Sequence, residues 1–80
     1  MITPAQCRAA RGLLKWSQKD LARESEISDV TIRHFEIEKT TPQKGTLVVL
    51  RQTFEAAGVE FIPANGGGDG VRLKHPGTNT

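Results

Sequence analysis

The strings "WSQKDLA" and "ISDVTI" carry the same helix-start grammar eleven residues apart, from Ser17 to Ser28, with no glycine or proline between them. In the first, Ser17 is the N-cap, Asp20 closes a capping box three residues on, and Trp16 can staple onto Leu21. In the second, Ser28 caps, Asp29 sits where the helix dipole favours an acid, and Ile27 can staple onto Ile32. A helix from Ser17 to Arg23 or Glu24 has about two turns, too few to be stable alone in water. It must share a core with the helix beginning at Ser28, through Leu21, Ala22, Ile27, Ile32 and Phe35. Two short helices joined so closely cross at a steep angle, which is the helix-turn-helix arrangement.

The flanking sequence supplies two more helices. Thr3 caps a segment that opens on Pro4 and runs through "AQCRAARGLLKW", with Cys7, Ala10 and Leu14 at apolar spacing. After the loop marked by proline in "KTTPQKGT", "TLVVLRQTFEAAG" is expected to be a fourth helix with Thr46 as N-cap and Gly58 as its stop. Leu47, Leu50, Phe54 and Ala57 should face the core, leaving Val48 and Val49 as surplus core contacts or part of a subunit interface. Beyond Gly58 the period falls to two. "VEFI" and "VRLK" alternate across the flexible "PANGGGDG", giving a long-looped hairpin. The expected fold is mainly α: a four-helix domain over 1–58, a β-hairpin over 59–74 and a disordered tail over 75–80.

Composition narrows the chemistry. Eighty residues make one small domain, and no apolar run approaches membrane-spanning length, so the expectation is a cytoplasmic protein without a membrane partner. The single cysteine, Cys7, excludes an internal disulfide, and no spaced thiols or histidines suggest a metal. "NGGGDG" lacks the helix and lysine of a phosphate loop. With no nucleophile–base pair or paired carboxylates, neither enzyme activity nor a cofactor is expected. Net charge is only +2, yet the first 23 residues hold Arg8, Arg11, Lys15, Lys19 and Arg23 against Asp20 alone. That distribution suits a polyanion or an ordinary solvated surface.

On the third helix, Ile32 and Phe35 mark the buried side and leave Asp29, Val30, Arg33 and His34 on the other. A helix fits the major groove of DNA, where Arg33 can donate two bonds to guanine and His34 can donate or accept. Asp29 can accept from cytosine and Val30 can meet a thymine methyl. Ser17, Gln18 and Lys19 lie at a helix N-terminus, which favours an anion, and Lys39 and Lys44 flank the next loop as further phosphate candidates.

These residues carry a resemblance. "RGLLKWSQKDLARESEISDVTIRHFE" resembles the helix-turn-helix of the Cro/C1, or XRE, phage-repressor family over roughly Cys7 to Phe54. The resemblance implies that Gln18 contacts a DNA phosphate, that Asp29, Val30 and His34 read bases with Thr31 and Arg33 nearby, and that Arg11 pairs structurally with Glu36. The chain departs from the family pattern at Glu26, where a glycine is usual, so the turn is either strained or differently shaped. "FEIEK" also suggests a third helix extending through Ile37. The acids Asp29, Glu36 and Glu38 should lower nonspecific affinity for DNA.

One such module makes few contacts, so a homodimer reading two half-sites of double-stranded DNA is expected, as a repressor or a controller protein. Val59, Phe61, Val71 and Leu73 are the candidate dimer residues, with covering of the helical core as the competing role. The alternative function is a protein-interaction module of antitoxin or antiactivator type, in which the same face meets a regulatory protein partner.

Overall fold

The computed structural model describes residues 1–75 and contains four helices followed by a two-stranded hairpin. Helix α1 spans Pro4–Leu14. Thr3 and Gln6 form a capping box: the Thr3 hydroxyl accepts from the Gln6 N–H at 3.1 Å, and the Gln6 side chain accepts from the Thr3 N–H at 3.0 Å. The helix stops two residues before Trp16 because Lys15 turns left-handed at φ 57°. Trp16 then bonds back to the Arg11 carbonyl at 2.9 Å.

Helix α2 spans Gln18–Ser25 and α3 spans Asp29–Glu36, both opened by the expected serine caps. Ser17 and Asp20 exchange bonds of 3.0 and 2.9 Å, and Ser28 accepts from the Thr31 N–H at 3.1 Å. Between the helices the chain turns at Glu26, which takes the left-handed conformation at φ 62° and donates to the Ala22 carbonyl at 2.8 Å. The strained form of the turn is therefore the one adopted, at about 1 kcal/mol for a residue with a Cβ. Helix α3 ends at Glu36. Ile37 caps it, and Glu38 reverses the backbone at φ 63°.

Helix α4 spans Lys44–Ala56, a turn earlier than the Thr46 cap predicted from sequence. Gln43 occupies the cap without a side-chain hydrogen bond, and its carbonyl receives the N–H groups of Thr46 and Leu47 at 3.0 and 3.2 Å. A serine-type cap is worth only about 1 kcal/mol. Starting at Lys44 gains an extra turn of backbone bonds in its place. Gly58, at φ 101°, ends the helix as expected.

Strands β1, Val59–Ile62, and β2, Gly70–Leu73, pair antiparallel with Val59 opposite Leu73 and Phe61 opposite Val71. Lys74 donates to the Gly58 carbonyl at 2.8 Å, so the alternation of the ladder turns the backbone groups of Val71 and Leu73 outward, along the edge of β2 that pairs with no other strand among the described residues. The first strand closes the helical core. Leu21, Ile32, Leu50 and Phe54 are fully buried, with Val59 and Phe61 beside them. Phe54 lies 6.0 Å from Trp16 and 6.3 Å from Phe61, and the Arg51 guanidinium covers the Phe61 ring at 4.9 Å. Ala57 stays half-buried, and Val48 and Val49 are exposed. No helix among the described residues is long and apolar enough to cross a membrane. Of the tail expected to be disordered, residues 76–80 lie outside the described residues.

Candidate nucleic-acid interface

Ile32, Phe35 and Glu36 turn inward on α3. At about 100° per residue, the opposite side is centred on a line through Val30, His34 and Ile37, with Arg33 and Asp29 on one flank and Thr31 on the other. Val30 and Ile37 are 45 % and 64 % exposed, Arg33 is exposed, and Asp29, Thr31 and His34 are half-buried. Thr31 is tied down locally, its hydroxyl accepting from the Ser28 hydroxyl at 2.9 Å.

A buried polar knot fixes this helix on its foundation. One Glu36 carboxylate oxygen accepts from Arg11 Nη2 at 2.7 Å and Gln18 Nε2 at 3.0 Å; the other accepts from Arg11 Nε at 2.7 Å and the Cys7 thiol at 3.1 Å. A carboxylate offers about four lone-pair positions, so Glu36 is fully satisfied. Arg11 also donates to the Trp16 carbonyl at 3.0 Å, and Arg8 to the Glu36 carbonyl, so α1, α2 and α3 meet at one group. Burial pushes the Glu36 carboxyl up, but the bonds from Arg11, Gln18 and Cys7 outweigh it and hold the group below the ordinary carboxylate value. The bond to Glu36 raises Arg11. Burial, and then the bond to Glu36, pushes the Cys7 thiol far up, which makes it inert.

The knot revises two expectations. Glu36 is buried and neutralised by Arg11, so it does not count among the acids facing DNA. Cys7 is more than a core filler, since it donates to that carboxylate. Cys7 and Arg11 stand one helical turn apart, a spacing visible in the sequence, but only the fold brings Glu36 to them. Ile37 was likewise missed as a surface residue, because an isoleucine after Phe35 and Glu36 gives no sign of its exposure.

Ser17 and Lys19 at the start of α2 are exposed, while Gln18 is half-buried and spends one amide hydrogen on Glu36. The second remains to donate. Lys19 reaches across to Asp29, Nζ to Oδ2 3.9 Å, so the beginnings of α2 and α3 lie side by side. With Lys19 86 % exposed, that pair is weak and free to exchange. Lys39 stays at the foot of α3, its N–H bonded to the His34 carbonyl at 2.8 Å, and exposed Lys44 opens α4. Of the hairpin candidates, Val59 and Phe61 are buried within the chain's own core, whereas Val71 and Leu73 are only half-buried.

Two short capped helices set across each other, the second anchored beneath and open above, define a helix-turn-helix DNA-binding domain. The helix-turn-helix family model HTH_3, of Cro/C1 type, matches residues 8–57, and the chain belongs to that family. A search of curated proteins finds no match to it.

Proposed function

We propose that the chain is a sequence-specific transcriptional regulator that acts as a homodimer, a repressor or controller protein, and reads a pseudo-palindromic operator through the major groove. The observation that carries this reading is the open face of α3, where Val30 and Arg33 are exposed and half-buried His34 lies on the same outer side, while Glu36 is locked beneath them. In this reading Arg33 forks onto guanine, and His34, Thr31 and Asp29 complete the base contacts. Ser17, Gln18, Lys19, Lys39 and Lys44 hold phosphates and set the register of the helix.

The second subunit docks on the free edge of β2. Support comes from a groove of about 570 Å³ lined by Leu13, Glu60, Val71, Arg72, Leu73 and Lys74, beside outward-facing backbone groups that have no strand partner among the described residues. Leu73→Asp should give a folded monomer by sedimentation, while Phe61→Asp should unfold the chain, since Phe61 is core. A dimeric Leu73→Asp variant counts against this interface.

Selection of duplexes from a random pool tests the whole reading. Enrichment of a two-fold symmetric site is expected, with Arg33→Ala relaxing one base and Lys44→Ala weakening all sequences alike and lowering the salt slope by about one. Failure to enrich any sequence turns the same face toward a protein partner.

A further inference from the structure

Ile37 is the most exposed large hydrophobic side chain among the described residues, and it lies on the same line of α3 as Val30. A single exposed isoleucine is ordinary. Two apolar side chains along the centre of the face that also carries Arg33 and His34 are not, because this face must meet a polar groove. The C5-methyl group of a pyrimidine is the apolar feature that the major groove offers there.

Resting on the DNA-reading function above, we infer that Ile37 is a specificity-determining residue and that, with Val30, it binds two pyrimidine C5-methyl groups in each half-site. Ile37 caps α3 at φ −90°, ψ 6°, with its N–H on the Arg33 carbonyl at 3.1 Å, so it prolongs the helical path. Seven residues of helix at 1.5 Å each span about 10 Å, and base pairs rise about 3.4 Å. A helix laid along the groove thus meets the two methyls about three base pairs apart. Arg33, between them and to one side, is in reach of a guanine in the interval. The Val30–His34–Ile37 line itself holds no carboxylate; exposed Glu38 follows Ile37 where the backbone reverses at φ 63°, and the neighbouring Arg33 and Lys39 suit a polyanion.

The methyl can belong to thymine or to 5-methylcytosine, so selection is run from an unmodified pool and from a pool methylated at cytosine. Each methyl of the winning site is then removed singly, by deoxyuridine for thymine or plain cytosine for 5-methylcytosine. A buried methyl of this size is worth about four-fold in affinity. That loss is expected at two positions about three base pairs apart, and Ile37→Ala should erase it at one and Val30→Ala at the other. Specific binding that stays within about two-fold after every methyl removal, or a loss that persists in Ile37→Ala, overturns the inference and leaves the regulator reading standing. Enrichment in neither pool overturns both.

Discussion

The Arg11–Glu36 fork can be tested as a coupled unit. Arg11→Leu leaves a carboxylate that is only 2 % exposed without its charge partner, and Glu36→Leu leaves a guanidinium that is 20 % exposed. Stranding one member of a buried pair costs about 3–5 kcal/mol, and the deeper burial of Glu36 puts Arg11→Leu at the upper end. An 80-residue domain has about 4–12 kcal/mol of stability in total, so that variant should be close to unfolding. Replacing both residues removes both stranded charges and fills the space with hydrocarbon. The double variant should therefore be more stable than Arg11→Leu alone, with a coupling energy of at least about 2 kcal/mol. Urea unfolding followed by fluorescence of the single tryptophan, Trp16, measures all four corners of the cycle. Effects that add within about 0.5 kcal/mol would refute the idea that the knot works as one unit.

Three smaller tests concern the same scaffold. Glu26→Gly relieves the left-handed strain and should raise stability by about 0.5–1 kcal/mol, seen as a higher melting temperature by circular dichroism; a fall would mean that the Glu26 side chain has a role of its own. The lowered Glu36 value makes its contribution fully present above the unfolded carboxylate value of about 4.3 and lost as pH falls through the folded value. Stability should hold flat above about pH 5 and drop below about pH 4, with the drop reduced in the double leucine variant. Cys7, fully buried with a raised thiol value, should resist thiol reagents at pH 8 until urea unfolds the chain, and rapid labelling of the native protein would contradict its place in the knot.

The local signals in the sequence translated directly into structure. Thr3, Ser17 and Ser28 cap helices because their hydroxyls meet backbone N–H groups three residues on, a contact that needs no tertiary fold. Thr46 misled for the same reason, since it has the right chemistry but the helix had already begun at Lys44. The reversals at Lys15 and Glu38 were hidden because glycine is the usual sign of a left-handed turn and neither residue is one, whereas Glu26 was flagged only because the family resemblance marks its position as a turn. Arg11 and Glu36 came from family resemblance, but the part taken by Cys7 and Gln18 depends on three helices converging. Exposure of Ile37 was illegible because period alone cannot tell an apolar residue beyond a helix end from one in the core. Buried Val59 and Phe61 show the same limit in the hairpin, where alternation gives the face but not what covers it.

Titration of isotope-labelled protein with its selected duplex, followed by amide resonance shifts, tests the central claim most directly. Shifts should concentrate at Gln18 and Lys19 and along Val30, Arg33, His34 and Ile37, with Cys7, Arg11 and Glu36 and α4 beyond its first turn little changed. Shifts centred on the hairpin or on the exposed side of α4, with α3 unmoved, would contradict the account.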